Sequence, residues 1–478
     1  MTTTAVDPGV VDPGVVASGA ELGTGAGTDA DAGTDAGAGT DAGAGFGVRE
    51  GARRAVRLAP VLAVIALLLV PGGGGAGSQG GTGGTGTVAD AASGLLVLVC
   101  LVRAVRSGAR PLTRTAAVVL GLPVLGVCLA AVTSNDPGAS LPGVARYLQI
   151  FVLVPAAVLL SVRDRRDFAA LAWALVGLGL AEGAVGVVQY ATGTGASYQG
   201  EDVRAVGTFG ATDVMGMATV VAYGLVAATG LALGGRPGRA RTAAVACAVL
   251  LCVPLVLSFS RGAWIATVAT CGIQLLLAGV RRAARVAAVV AALGVVLVGG
   301  FGVGSAMVEE RAASITRVAA APDQSVTDRY TLWAAAGRMW REEPLTGVGL
   351  KEFPAYRDAH ASLALSSGSD TAGAGAAFTR QPLLSPHNMY LLVLGEQGLI
   401  GLIALAGGWA ALLAAALRRG WGRGRARPVP GCALVATGLL VWQLVDFCYA
   451  DIGGPSTVLV SVVLGLAAWW SLTEARRA

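Results

Sequence analysis

The sequence predicts an all-α polytopic membrane protein of about twelve transmembrane helices, with one large external loop containing short amphipathic helices. Three observations carry this. The 478 residues are 54% hydrophobic and only 13% charged, about half the ~25% charge of a soluble globular chain. The mean hydropathy is +0.67. Apolar runs rich in Ala, Val, Leu and Gly recur along the chain, near the ~20 residues that cross a bilayer and in the composition of closely packed membrane helices.

The predicted spans are 57–71, 88–102, 115–133, 144–162, 168–190, 212–234, 242–258, 262–280, 286–304, 387–417, 431–449 and 455–471. The first is short and precedes a Gly-rich stretch. The tenth is longer than one crossing needs, so a break or a tilt is expected in it. Residues 1–48 repeat Val-Asp-Pro-Gly-Val and Gly-Thr-Asp-Ala units. Such a segment buries too little apolar surface to offset the entropy of ordering, and reads as a disordered low-complexity cytoplasmic tail. It lacks the basic start and small-residue cleavage site of a signal peptide. The expected organisation is therefore this tail, helices one to nine over 49–304, an external loop over 305–386, helices ten to twelve over 387–471, and a cytoplasmic tail over 472–478.

Orientation follows from the arginines, since Lys351 is the only lysine. Arg49, Arg53, Arg54 and Arg57 precede or open span one. Further clusters follow spans two, four, six, eight and ten, and Arg476 and Arg477 end the chain. Every cluster thus falls on an even-numbered connection or a terminus. The positive-inside rule makes that side the cytoplasm and puts the long loop outside. The net charge of +6 is spread over these clusters, which are topology signals and lipid-headgroup contacts, so no nucleic-acid partner is implied. All seven cysteines lie in apolar runs without metal-ligand spacing and read as small buried hydrophobes.

The loop has structure of its own. Ser325-Val326-Thr327-Asp328 resembles a capping box, and Leu332, Trp333, Ala336, Met339 and Trp340 form an apolar stripe at helical spacing. Pro344 ends that helix, and Leu345-Thr346-Gly347-Val348-Gly349 reads as a tight turn. Residues 361–377 are rich in Ala, Ser and Gly, and a mobile stretch is expected there.

Four polar groups converge on the outer side: Arg204 with Gly207-Thr208-Phe209, Ser258-Phe259-Ser260-Arg261-Gly262, Arg329 with Trp333 and Arg338, and His387-Asn388 with Tyr390 and Glu396. His360 and His387 are the only histidines, and a scarce titratable group where a polar loop re-enters a bilayer is where acid–base chemistry would sit. Guanidinium groups bind phosphate oxygens bidentately, so several around one histidine suit a phosphorylated lipid. Taken singly, each has a plainer explanation, since arginines at span ends snorkel to headgroups and a histidine can cap a helix at the interface. Their joint occurrence on one face points to a site.

Gly207-Thr208-Phe209, Ser260-Arg261-Gly262, Arg329 and Trp333 followed by Pro344 to Gly349, and His387-Asn388 with Tyr390, Glu396 and Gly398 resemble the O-antigen ligase/polymerase superfamily in order and spacing, over roughly residues 200 to 410. The resemblance implies a metal-independent glycosyltransferase, without cofactor, acting in the bacterial cytoplasmic membrane with its active face external. It implies an undecaprenyl-diphosphate-linked glycan as donor and a glycan or lipid as acceptor, with membrane lipids and polysaccharide assembly proteins as further partners. Arg261 and Arg329 would hold the diphosphate and His387 would be the general base, the three catalytic residues. Arg204, Arg338, Asn388, Tyr390 and Glu396 would bind substrate. Ligase and polymerase differ only in the acceptor, and the motifs do not separate them. Glu182 and Asp446 are ionisable groups at membrane depth, read either as functional or as paired with a facing arginine or backbone group. Glu396 orients His387 or caps a neighbouring helix. Asp451 is a further outer candidate, whereas His360 is expected to play no direct part. The competing class is a multi-span solute transporter, but no repeat relates the two halves of the chain.

Overall fold

In the computed structural model, the residues described are 41–70, 87–108, 111–198, 204–213, 215–234, 238–295, 324–367, 369–372, 379–381, 383–421 and 429–473. The protein is a helical polytopic membrane protein. Among the described residues, eight helices are long and apolar enough to cross a bilayer, and two more apolar helices are shorter.

In chain order the helices begin with α1 (Asp41–Ala66), α2 (Val88–Ser107), α3 (Arg114–Val132), α4 (Pro137–Leu148), α5 (Val154–Ser161) and α6 (Arg165–Thr192). They continue with α7 (Gly216–Gly234), α8 (Arg239–Leu257), α9 (Arg261–Ala278), α10 (Val280–Val295), α11 (Gln324–Glu342) and α12 (Phe353–His360). The last three are α13 (Met389–Trp421), α14 (Gly431–Asp446) and α15 (Thr457–Leu472). A π-helical turn, Gln149–Leu153, joins α4 to α5 into one crossing. The chain divides into two units, residues 1–52 and 53–478.

Two boundaries differ from expectation. Helix α1 begins at Asp41, inside the stretch expected to be disordered, while residues 1–40 lie outside the described ones. Span nine is described only to Val295, so its second half and the start of the long loop also lie outside them. The chain is not wholly helical either. β1 (Ser197–Tyr198), β2 (Ser369–Ala372) and β3 (Thr379–Gln381) form a three-stranded antiparallel sheet in the order β1-β2-β3. Strands this short carry no alternation to read. The cysteines, all free thiols, are less buried than expected: only Cys432 is fully so, and Cys128, Cys252 and Cys448 lie exposed.

Arginine contacts tie neighbouring helices together at one end of the bundle. Arg54 and Arg57 bridge to Asp167, and Arg54 also reaches Asp164 at 3.1 Å. Arg282 donates to the Leu233 carbonyl at 2.7 Å, and Arg419 to the Trp470 carbonyl at 2.6 Å. These are clusters that flank the first, fourth, eighth and tenth predicted spans, which is the clustering that the charge pattern predicts.

The feature that positions the site is a break in α13. Gly398 has φ 62° and ψ −163°, which no helix accommodates. The turn after Pro344 fills the gap it leaves. Leu399 and Ile400 donate to the Pro344 and Leu345 carbonyls at 2.9 and 3.2 Å, while Val348 and Gly349 donate to the Gly395 and Glu396 carbonyls at 2.9 and 3.1 Å. The same segment reaches α3, with Leu350 N–H on the Ala130 carbonyl at 3.1 Å. Helix α11 then lies against α13, with Ala336 close to Gly395, and its Leu332, Ala335, Ala336 and Met339 are all fully buried.

The capping-box reading of Ser325 to Asp328 does not hold, because the helix already runs from Gln324. Asp328 instead accepts from Ser366, backbone at 2.8 Å and hydroxyl at 2.6 Å, strapping a distant segment to α11. A Cβ at Gly398 would lie 2.3 Å from the Leu345 carbonyl oxygen, on a backbone that side chains rarely adopt. Gly398→Ala is therefore expected to destabilise the detergent-solubilised protein by roughly 1–3 kcal/mol. Thermal unfolding checks this, and an unchanged melting temperature would contradict the docked turn.

Candidate functional site

The start of α13 is fastened to the turn that follows α14. Asn388 caps the helix by accepting the Leu391 N–H at 3.0 Å, and its amide donates to the Cys448 carbonyl at 2.8 Å. Met389 N–H is shared between the Phe447 and Ala450 carbonyls at 2.9 and 3.0 Å. His387, just outside these bonds, takes φ 48°, a left-handed conformation that is strained for any residue with a side chain. Its neighbour Ser385 donates to the carboxylate of Asp451. Burial holds the His387 imidazole below the ordinary histidine pKa, the Asp451 carboxylate opposes this, and the Arg329 guanidinium reinforces it.

Arg329 arrives from α11. One turn along that helix, Trp333 donates its indole N–H to the Pro386 carbonyl at 2.8 Å, next to His387. The Arg329 charge also bears on the phenol of Tyr449, which burial chiefly pushes upward. Tyr449 in turn donates to the Gly262 carbonyl. Its ring lies so close that a Cβ on Gly262 would sit 2.3 Å from it, which is why glycine follows Arg261.

Arg261 opens α9, behind the Ser260 hydroxyl that accepts the Ala263 N–H at 3.3 Å. It follows Phe259, which is strained like His387, with φ 50°. A cation on the first turn of a helix works against the helix dipole. Exposed Arg261 therefore adds its charge to an end that is already positive, an arrangement suited to an anion.

The Gly207-Thr208-Phe209 segment packs beside this turn, with Ala205 N–H on the Leu257 carbonyl at 3.2 Å. Two α6 side chains shape it. Glu182 accepts from the Thr208 N–H and hydroxyl at 2.9 and 2.6 Å, and Gln189 accepts the Val206 and Gly207 amides at 3.1 and 2.9 Å. Glu182 thus pairs with backbone and hydroxyl, the plainer of its two readings. Arg204 is bridged through its backbone to Ala196 at 2.9 and 2.7 Å, beside the same turn. At the far end of the segment Asp213 accepts from Ser456, amide at 3.1 Å and hydroxyl at 2.7 Å. Loss of hydration raises the Asp213 carboxyl, and the Ser456 bonds pull it back.

The structure thus brings the Arg261 and Arg204 segments, Arg329 and His387 to one end of the bundle. Four other candidates bond to the protein itself. Arg338 donates to the His360 carbonyl at 2.5 Å, and Tyr390 to the Leu444 carbonyl at 2.8 Å. Asn388 uses both ends of its amide as above. Glu396 accepts the Phe353 N–H at 3.3 Å at the start of α12, so it caps a neighbouring helix. His360 stands apart, bonded to the Tyr356 carbonyl at 2.7 Å and to Glu342 at 2.9 Å. Burial works against its charged form, but these two partners outweigh it and raise its pKa.

Asp451, a further outer candidate in the sequence, does lie here, whereas Tyr449 and Asp213 carry no signal in the motifs. The available signal was the polar turn 449–456 itself, with Asp451 just past a span end.

No curated protein matches this chain. A family model described as O-Antigen ligase matches residues 246–406. The match takes in Arg261, Arg329, Arg338, His387, Asn388, Tyr390 and Glu396, and leaves Arg204 and the Gly207-Thr208-Phe209 segment outside it. Residues 246–406 thus resemble an O-antigen ligase domain, and this likeness supports the O-antigen ligase superfamily as the one this membrane protein is related to.

Proposed function

We propose that this protein transfers an undecaprenyl-diphosphate-linked glycan to an acceptor hydroxyl, as a ligase or polymerase of envelope polysaccharide. The supporting observation is the convergence of Arg329, Asp451 and a strained, half-buried His387 beside the turn that carries Arg261. In this reading the chain crosses the bacterial cytoplasmic membrane twelve times. Residues 305–386 and the site face outward, and both termini face the cytoplasm.

The acceptor oxygen attacks the anomeric carbon as the bond from that carbon to the diphosphate oxygen breaks. The departing diphosphate keeps the electron pair, and the hydroxyl proton passes to His387. Attack opposite the leaving group inverts the anomeric centre. Arg261 and Arg329 stabilise the charge that grows on the diphosphate, the largest electrostatic demand of such a step. No metal is required to meet it, because guanidinium groups stay charged at any physiological pH. His387 starts neutral, as a base must, because burial and Arg329 outweigh Asp451. Asp451 is placed to stabilise the imidazolium once the proton has moved.

Replacing His387 or Arg261 singly by alanine is expected to make lipid-linked donor accumulate and to cut transfer by about 10²–10⁴-fold. An unaltered lipid-linked pool together with impaired solute uptake would instead establish a transporter.

Transfer by the purified protein should hold steady at neutral pH and fall as acid protonates His387. The midpoint should lie below the ordinary histidine value of about 6.5. Asp451→Asn removes the group that favours the imidazolium, so it should shift this limb to lower pH while reducing the maximal rate. A limb at or above the ordinary value would refute the balance of burial and charge described here.

A further inference from the structure

Helix α11 has a second polar side that the reaction described above does not use. Thr327, Tyr330, Thr331, Ala334 and Arg338, with Ser362 from the segment beyond α12, line an open groove of about 280 Å³. That is near the ~300 Å³ at which small-ligand pockets begin. Its far wall is fixed to α11 by the Asp328–Ser366 bonds and by Gln324, whose amide donates to the Ala364 carbonyl at 3.1 Å. Tyr330 is 60% exposed, so much of its side chain is open to a ligand in the groove. The groove also leads toward the site: Tyr330 follows Arg329, and its ring stands edge-on to Trp333 at 5.6 Å, the indole that bonds the Pro386 carbonyl.

We propose that this groove seats a sugar ring of the glycan one or more units away from the bond being made. The inference rests on the glycan-transfer reading above. The chemistry of the lining selects the ligand class. Three hydroxyls and a phenol both donate and accept, which matches a polyol. An exposed aromatic face offers a platform for the apolar face of a sugar ring. The groove holds a single cation, Arg338, part of whose guanidinium is engaged by the His360 carbonyl, whereas a diphosphate is better matched by the two arginines of the Arg261 and Arg329 end. A remote subsite would hold the glycan by contacts common to ground and transition states, so it should act on KM and leave kcat nearly unchanged.

The test uses the purified full-length protein in detergent and, as probe, the free oligosaccharide released by mild acid from the lipid-linked pool of the same cells. Equilibrium dialysis should show binding that Tyr330→Ala weakens about five- to tenfold, the worth of one aromatic contact. Ala334→Trp, which fills the groove without removing a bond, should weaken it at least as much, and Tyr330→Phe should leave it within about threefold. The side chains of Tyr330 and Ala334 are both exposed, so equal melting temperatures are expected for all three variants. In transfer assays, a KM raised toward the donor alone assigns the groove to the donor chain, and one raised toward the acceptor alone to the acceptor chain. Undetectable binding to the unaltered protein, or unaltered binding and KM in both Tyr330→Ala and Ala334→Trp, overturns the subsite. Either result leaves the transfer reading standing if His387→Ala still abolishes transfer. Full transfer by His387→Ala would sink that reading by itself, whatever the groove binds.

Discussion

The rest of the structure depends on how the backbone is satisfied where α13 breaks at Gly398. Hydrocarbon offers no water to a freed amide or carbonyl, so a broken helix persists in a membrane only where protein replaces the lost bonds. Here the turn 344–349 supplies four of them, two as donor and two as acceptor. Each unmet group would cost about 1–3 kcal/mol, so break and turn are stable only together. The polar loop is thereby built into the bundle. Helix α11, fixed at its C-terminal end by that turn, cannot drift relative to the start of α13. Arg329 and His387 consequently belong to one rigid arrangement although 58 positions separate them in the chain.

A second set of constraints sets the charge around His387. Burial and a neighbouring cation lower the affinity of an imidazole for a proton, and a carboxylate raises it. All three act here, and the net direction is downward. On the proposed reading, that balance favours a neutral imidazole in the resting protein and leaves an anion at hand for the imidazolium. Asp451 itself is held from two sides, by Ser385 in front and by the 451–456 turn behind, which Asp213 clamps through Ser456. Asp213 ends the segment that Glu182 and Gln189 shape. Glu182 and Asp213 therefore organise the loops beside the candidate site.

Hydropathy alone located most of the membrane helices, because span length and lipid exposure are properties of contiguous residues. It also flagged the tenth run as too long, which is where Gly398 breaks the helix. What it could not supply are bonds between segments far apart. Asp328 looked like a local cap because its true partner, Ser366, lies 38 positions on. The resemblance makes Asn388 and Tyr390 substrate contacts, and it says nothing of the carbonyls near the end of α14 to which both also reach back. Asp451 reads in the sequence only as an outer candidate without a role, because its partner Ser385 lies 66 positions earlier. Arg261, Arg329 and His387 were legible because their residue types are conspicuous in an apolar chain, whatever their partners.

The strained backbone at His387 and Phe259 requires a frame that does not yield. Left-handed φ at residues with a Cβ costs about 1–3 kcal/mol each and persists only where the surroundings over-determine it. The Gly and Ala content of the helices provides such surroundings. At the crossing of α3 with α13, a Cβ on Gly126 would lie 2.5 Å from the Gly401 Cα, so the two backbones are nearly in contact. Close approach of this kind replaces flexible side chains with stiff main chain and many short dispersion contacts. It occurs one turn beyond the break at Gly398, beside the docked 344–349 turn. The same small residues that make this sequence look featureless are what allow α13 to stay broken in one place and unmoving at its start, where His387 is held.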